Sequence, residues 1–184
     1  MPTWLIIVLI IVLFILVWFM STYNSLVALR NKVKDQKAQI DVTLKRRFDL
    51  IPNLVETVKG YAKHEKDTLE EVVKARNTYT SATTTEDQLK ADSELQKGIT
   101  KLFALAEQYP DLKANENFIN LQNQLTETED KIQYSRQFYN DEVMKYNNKI
   151  EMFPSNIIAN LFHFVAEKFF EANEEERQNV KVKF

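Results

Sequence analysis

The sequence contains no cysteine, and only two glycines and four prolines among its 184 residues. Without cysteine the chain can form no disulfide, thiolate zinc site, iron–sulfur cluster or cysteine nucleophile. Because glycine and proline end or turn regular elements, their scarcity predicts few turns and therefore long helices. The two glycines, Gly60 and Gly98, stand alone, which excludes a glycine-rich loop for phosphate. The formal net charge of −2 provides no overall basic surface for nucleic acid.

Motifs for catalysis and metal binding are also missing. The pair His64-Glu65 begins like the zinc-protease motif H-E-x-x-H, but Thr68 stands where the second histidine is required. Neither His64 nor His163 follows a glutamate by three residues, as the histidines of di-iron bundles do. We find no combination of nucleophile, base and acid. The sequence therefore predicts no enzyme activity, no cofactor and no metal site.

One long uncharged stretch, Trp4–Met20, stands at the beginning of the chain. As a helix it measures about 25 Å, close to the roughly 30 Å of a bilayer's hydrocarbon core once its flanking residues are added. Tryptophans near both ends suit the headgroup level. No small-x-small cleavage pattern follows, so we expect the stretch to remain as a membrane anchor. The anchor is predicted at residues 1–22, and its aromatic anchoring residues are Trp4, Phe14, Trp18 and Phe19.

The orientation of this span follows from the basic residues beside it. No lysine or arginine precedes the span, whereas four follow within twenty residues: Arg30, Lys32, Lys34 and Lys37. Positive flanks stay on the cytoplasmic side. We therefore expect a single-pass protein of the cell (inner or plasma) membrane, with its N-terminus outside and its C-terminal domain in the cytoplasm. The opposite orientation stays open, because the basic residues begin ten residues beyond Met20.

Beyond the span, apolar residues recur at spacings of three and four, which is typical of amphipathic helices. The first such segment, Tyr23–Ile51, follows the span without a helix breaker. Two interpretations are open at Pro52. The chain turns there into a helical hairpin, which we slightly favour, or one long helix continues with a kink, because the apolar positions remain in phase across the proline.

The remaining pattern predicts further helices and a short aromatic segment. A loop is expected at Thr78–Thr85, a third helix at Glu86–Gln108, and a fourth helix that begins after Asn115 as its N-cap and ends before Pro154. Ile157–Phe170 forms the last segment. The predicted fold is all-α: a single transmembrane helix followed by a long antiparallel helical bundle of about four long helices plus a short C-terminal helix. The bundle domain is assigned to residues 23–170 and a mobile charged tail to residues 171–184.

Three groups of residues suggest interaction surfaces, each with a structural alternative. Arg46 and Arg47 could bind an anionic partner, or form ion pairs with residues such as Asp41 and Asp49, which we favour. The second and third groups are pairs of aromatic residues: Tyr139 with Tyr146, and Phe162 with Phe169.

The two tyrosines lie seven residues apart on one helix face. They are expected in the core with hydrogen-bonded hydroxyls, the alternative being a seam for self-association. The two phenylalanines either lie on the bilayer surface or pack on protein, and the scarcity of basic residues in their segment favours protein. Gly60 interrupts a helical pattern, which indicates a local packing need or, less favoured, a close helix contact or hinge.

Several stretches of the chain resemble the LemA family, and the match covers essentially the whole chain. They are L-K-R-R-F-D-L-I-P-N-L-V from Leu44, V-K-G-Y-A-K-H-E from Val58, Y-P-D-L-K-A-N from Tyr109 and F-P-S-N from Phe153. The resemblance implies a bacterial-type membrane-anchored protein with an N-terminal span and an antiparallel helical bundle. It does not imply a reaction.

These observations predict a membrane-anchored helical scaffold or interaction protein. Polar residues at seam positions (Gln36, Thr128 and Ser135) thin the core, so we expect a homo-oligomer with coiled-coil-like packing. The expected partners are the lipid bilayer, further copies of the chain and an unidentified protein. The alternative is a membrane-tethered sensing or signalling module that relays a conformational change to a partner through Pro52 and Gly60.

Overall fold

The computed structural model describes residues 2–82 and 85–170, and within these ranges the chain forms six helices and no strand. The helices are α1 (Thr3–Tyr61), α2 (Lys66–Ser81), α3 (Thr85–Ala106), α4 (Pro110–Lys113), α5 (Glu116–Glu151) and α6 (Ser155–Leu161). The predicted all-α class with an apolar N-terminal helix and a helical bundle is confirmed. The predicted tail, 171–184, lies outside the described residues.

Helix α1 runs unbroken for 59 residues. Within the described ranges it is the one helix long and apolar enough to cross a membrane, and its apolar N-terminal part is almost entirely exposed. From Thr22 onward one face of the same helix becomes buried. The span and the first amphipathic segment are therefore one helix, which fits membrane anchoring.

The structure corrects the slightly favoured interpretation of Pro52. Helix α1 continues through this proline, and the chain reverses at residues 62–65. Proline has no N–H to donate to the carbonyl four residues earlier, which belongs to Phe48. Arg76 of α2 donates its Nε–H to that carbonyl oxygen at 3.2 Å. A side chain from the next helix thus replaces the missing backbone donor.

The described residues divide into two compact units. The first contains the chain up to Ile40 together with Tyr134–Phe170, and the second contains Asp41–Gln133. The core of the first unit comes from three helices and includes Leu26, Val33, Ile40, Tyr139, Val143, Tyr146, Ile158 and Ala159. The core of the second unit includes Ile51, Leu54, Val58, Val72, Leu95, Leu102, Leu112 and Ile132.

The two glycines have different surroundings in the second unit. A Cβ on Gly98 would lie 2.9 Å from Cγ2 of Val72, so the missing side chain allows α3 to approach α2 closely. A Cβ on Gly60 would meet nothing within 4 Å. The predicted packing need and close helix contact at Gly60 are therefore wrong.

Two other sequence predictions are corrected or supported by local geometry. Helix α2 extends to Ser81, so the loop predicted from Thr78 begins later. Helix α5 begins as predicted, because Asn115 Oδ1 accepts the backbone N–H of Phe118 at 3.0 Å.

Thr128 is fully buried, and its hydroxyl donates to the carbonyl of Gln124 at 2.6 Å. A polar group at a seam position thereby finds its partner within its own helix.

A buried arginine joins three helices of the second unit. Arg47 of α1 is 1% exposed. Its guanidinium donates to Asp92 Oδ1 at 3.1 Å and to Gln96 Oε1 at 2.8 Å, both on α3, and forms an ion pair with Glu129 Oε2 of α5 at 3.0 Å. Burying a charge is costly unless it is paired and hydrogen-bonded. The guanidinium of Arg47 meets that requirement, and we call these four side chains the Arg47 cluster.

Arg47 is therefore not part of an exposed surface, and its inclusion in a surface for partners is wrong. It forms ion pairs, as the favoured interpretation expects, but with Asp92 and Glu129 instead of its sequence neighbours Asp41 and Asp49. The neighbouring Arg46 is exposed. Adjacent helix positions differ by about 100°, so one arginine faces the core while the other faces solvent.

Replacing Arg47 by methionine should lower the free energy of unfolding by about 3–5 kcal/mol, because the positive charge between two carboxylates is lost. Denaturant titration of the detergent-solubilised protein, followed by circular dichroism, measures the change. The matched control is Arg46→Met, which should change stability by less than about 0.5 kcal/mol. Equal effects of the two substitutions would contradict the assigned role of the cluster.

The bond from Arg76 to Phe48 should matter mainly because Pro52 is present. Arg76→Met leaves the Phe48 carbonyl without a donor, whereas in a Pro52→Ala background the alanine N–H can take over. A double-mutant cycle on unfolding free energies should give a coupling of about 0.5–1.5 kcal/mol. Additive effects would show that Arg76 does not substitute for the backbone donor.

Candidate functional site

The chain after α6 packs against α1 where the apolar span ends. The ring centroid of Phe162 lies 5.9 Å from that of Phe19 and 4.7 Å from that of Tyr23. The ring of Phe164 lies 5.9 Å from Tyr23, and the guanidinium carbon of Arg30 lies 5.1 Å from its centre. Phe19 belongs to the predicted span. These contacts place the segment after α6 beside the C-terminal end of the span.

A helix-ending motif directs the chain into this position. His163 has a φ of 54°, which is uncommon for a residue other than glycine. Its N–H donates to the carbonyl of Asn160 at 3.2 Å, and the N–H of Phe164 donates to that of Ala159 at 2.9 Å. This pair of bonds is the Schellman motif, which satisfies the last carbonyls of a helix. The predicted last segment is therefore helical only as far as Leu161, and residues 162–170 are not helical.

Two asparagines of α5 hold the non-helical segment through its main chain. Asn147 accepts the N–H of Glu167 at 3.0 Å and donates to its carbonyl at 2.9 Å. Asn140 makes the same two bonds with Phe170, at 2.8 and 2.9 Å. A side-chain amide carries both a donor and an acceptor, so it can satisfy both main-chain groups of one residue, as a neighbouring strand would. We call Asn140 and Asn147 the asparagine ladder.

The predicted tyrosines lie beside this ladder and in the core. Tyr139 is 6% exposed and Tyr146 is 1% exposed. The hydroxyl of Tyr139 donates to the carbonyl of Lys168 at 3.0 Å, a bond that completes the attachment of the segment. Burial raises the pKa of Tyr139, and the carboxylate of Glu167 raises it further. The hydroxyl therefore stays a neutral donor at neutral pH.

The pKa of Tyr146 is also raised, like that of Tyr139. Burial raises the pKa of Tyr146, the positive charge of Arg30 acts in the opposite direction, and the carboxylate of Glu167 again raises it. Both tyrosines thus occupy core positions, as the packing interpretation expects. Because they are buried within the first unit, neither forms a free seam for another copy.

The turn between α5 and α6 and the outer face of α6 are apolar and exposed. Residues 152–166 contain no lysine, arginine, aspartate or glutamate. On the turn and the outer face of α6, four side chains are largely exposed: Phe153 at 79%, Met152 at 62%, Leu161 at 61% and Ile157 at 56%. We call these four residues the apolar tip. Only the opposite face of α6 is buried, through Ser155, Ile158 and Ala159.

The structure brings some of the predicted site residues together and not others. Phe162 contacts the anchoring residue Phe19 and is still 45% exposed. Phe169 is 48% exposed. The anchoring residues Trp4 and Phe14 are exposed, and Trp18 is partly buried. Arg46 belongs to the second unit and lies on its surface.

Sequence reasoning missed the asparagine ladder. The signal was present in the repeated Tyr-Asn pairs at 139–140 and 146–147, which lie seven residues, or two helical turns, apart. The prediction concerned the tyrosines of these pairs, whereas the asparagines make four main-chain bonds and Tyr139 makes one. In the ranges that the structure covers, no group of three or more histidine, cysteine, aspartate or glutamate side chains could hold a metal ion.

The described residues form an apolar helix that leads into a helical bundle. The LemA family model matches residues 36–184, which is most of the chain. The chain belongs to the LemA family. It is 26% identical over 165 residues to Protein LemA of Metamycoplasma hominis, a match that covers 88% of this chain and 74% of the relative.

Members of another named group are also similar to this LemA-family chain. Magnetosome protein MamQ 2 of Paramagnetospirillum magneticum is 25% identical over 175 residues, covering 81% of this chain and 64% of the relative. Magnetosome protein MamQ of Magnetospirillum gryphiswaldense is 24% identical over 185 residues, covering 84% and 68%. The chain thus spans slightly less than two thirds of the first of these magnetosome proteins. The family and the helical fold together describe a membrane-associated protein.

The asparagine ladder predicts a measurable effect on the backbone. Asn147→Ala removes both bonds to Glu167, so hydrogen exchange at the Glu167 amide should accelerate about tenfold. This factor corresponds to a loss of roughly 1–1.5 kcal/mol in the free energy that protects the amide. Asn148→Ala is the matched control, because Asn148 is the next residue along α5 and its side chain is exposed. Hydrogen exchange read by NMR or mass spectrometry distinguishes the two. Unchanged protection in Asn147→Ala would contradict the ladder.

Proposed function

We propose that this LemA-family chain is a membrane-anchored scaffold that self-associates and presents its helical domain to another protein, without catalysing a reaction. The continuity of α1 supports the proposal. One helix contains the exposed apolar span and buried core residues of the first unit, including Leu26 and Val33. The first unit is thereby attached to the span without a flexible linker. We place the N-terminus outside and the bundle in the cytoplasm, because basic residues follow the span.

A pair of exposed aromatic residues on α5 carries the proposal of self-association. Tyr134 is 62% exposed and Phe138 is 58% exposed. They lie four residues apart and therefore on one face of the helix, beside each other. Large aromatic side chains are enriched at protein interfaces and contribute much of their binding energy. We assign this face, the Tyr134/Phe138 face, to contact with a second copy.

Membrane anchoring favours a second copy as the occupant. Copies anchored by the same span present the Tyr134/Phe138 face at the same height above the bilayer. Confinement to one plane raises their effective concentration, so a modest interface suffices for association. A face that meets its own copy about a two-fold axis is also the commonest arrangement in homo-oligomers.

The alternative relay through Pro52 has less support. A relay needs a position at which the helix can change conformation. At Pro52, however, the carbonyl oxygen of Phe48 that lacks a backbone donor accepts a hydrogen bond from Arg76 at 3.2 Å. The surroundings of Pro52 therefore favour a helix that keeps one conformation. This observation supports the scaffold over the sensing module.

The self-association proposal is tested on the full chain in detergent and in vesicles. Light scattering should give an oligomeric mass for the wild type, and Tyr134→Ser/Phe138→Ser should shift the mass toward the monomer. The matched control is Val42→Ser, which removes an apolar side chain that is 70% exposed in the second unit. Amine cross-linking in vesicles repeats the comparison without detergent.

Two results would contradict the proposal. If the wild type is monomeric in both assays, the proposal of self-association is wrong. If the double variant stays as oligomeric as the wild type and the Val42→Ser control, the Tyr134/Phe138 face is not the interface between copies.

A further inference from the structure

The apolar tip is a large exposed surface that the packing of the first unit does not explain. Its four side chains are 56–79% exposed, and no charged residue lies within 152–166. Contiguous exposed apolar surface marks a contact with protein, ligand or membrane. The question is which of these covers the tip.

The position of the tip indicates the answer. Phe162, one residue beyond the last residue of α6, contacts Phe19 and Tyr23 at the end of the apolar span. Helix α6 has only seven residues and is therefore about 10 Å long, so the whole tip lies close to that contact. The exposed side chains of the span, such as Phe14 at 73%, are those that a bilayer would cover. The tip continues this surface.

The backbone of the tip is suited to a membrane surface. Unpaired N–H and carbonyl groups are costly in apolar surroundings. Several of those around the tip are bonded within the chain: Met152 N–H to Asn148 O at 2.9 Å, Phe162 N–H to Ile158 O at 3.1 Å, and Phe164 N–H to Ala159 O at 2.9 Å. Among the polar side chains of the segment, Asn160 and His163 are exposed, so headgroup water can solvate them.

We propose that the apolar tip is a second membrane contact, in which Phe153, Ile157 and Leu161 insert into the interfacial layer of the leaflet where the span of α1 ends. The inference depends on the membrane anchor of the proposed function and adds a binding surface to it. The sequence expectation that this segment packs on protein then holds for Phe162 and Phe164, whereas the tip faces lipid. A lipid surface is the occupant, through its acyl chains and not through anionic headgroups.

The absence of charge distinguishes this contact from electrostatic membrane binding. Basic residues attract anionic lipids, and α6 contains none. Insertion should therefore be similar in vesicles with and without anionic lipid. With α1 and the tip both in the bilayer, the first unit has two attachment points, which restrict its rotation about the span.

Because the sequence contains no cysteine, a single introduced cysteine can be labelled specifically. Full-length Phe153→Cys and Leu161→Cys proteins are each labelled with an environment-sensitive fluorophore and reconstituted in phosphatidylcholine vesicles. Quenching by nitroxide lipids reports contact with the bilayer, and quenching by aqueous iodide reports exposure to water. Leu9→Cys, in the span, is the positive control, and Val73→Cys, exposed in the second unit, is the negative control.

Labels at positions 153 and 161 should be quenched by nitroxide lipids several-fold more than the label at 73, and more by a shallow nitroxide than by a deep one. The label at 9 should respond most to a deep nitroxide. Adding phosphatidylserine should change the quenching at 153 and 161 little.

The tip proposal is overturned if labels at 153 and 161 behave like the label at 73, with strong iodide quenching and little response to nitroxide lipids. Protection from both quenchers also overturns it, because protein then covers the tip. If the label at 9 responds to nitroxide lipids while those at 153 and 161 do not, the anchor stands and only the tip proposal fails. If none of the three responds, the anchor fails as well.

Discussion

The structure depends on the continuity of α1. This helix contains the apolar span and contributes core residues to both units. Its weakest point is Pro52, where a backbone hydrogen bond is missing, and Arg76 supplies the replacement. One turn earlier, Arg47 binds α3 and α5 to the same helix through its carboxylate and amide partners. Both arginines therefore attach neighbouring helices to α1.

The main buried polar contacts of the two units differ in chemistry. The second unit uses charge, because Arg47 faces two carboxylates and an amide in the core. In the first unit, neutral side chains bind the main chain of residues 167–170, through the asparagine ladder and Tyr139. The charged guanidinium of Arg30 also lies in this unit, against the ring of Phe164.

Taken together, the proposals give the chain a mechanical role at the membrane. In that role the span would anchor it, the apolar tip would restrict its rotation, and the Tyr134/Phe138 face would meet another copy. In the described residues no cluster of side chains provides a metal site, and the sequence contains no catalytic set. Membership of the LemA family fits a membrane-associated helical protein and adds no reaction to it.

The sequence by itself determined the span, the all-α class, the family and the N-cap Asn115, because each depends on composition or on spacing within one segment. Tertiary structure decided the rest. Pro52 could turn or continue the chain, and the choice depended on Arg76, which comes from another helix. Arg46 and Arg47 look alike in sequence, and only packing buried the second. The asparagine ladder and the tip arise because the chain folds back along α5, a long-range contact that local periodicity does not encode.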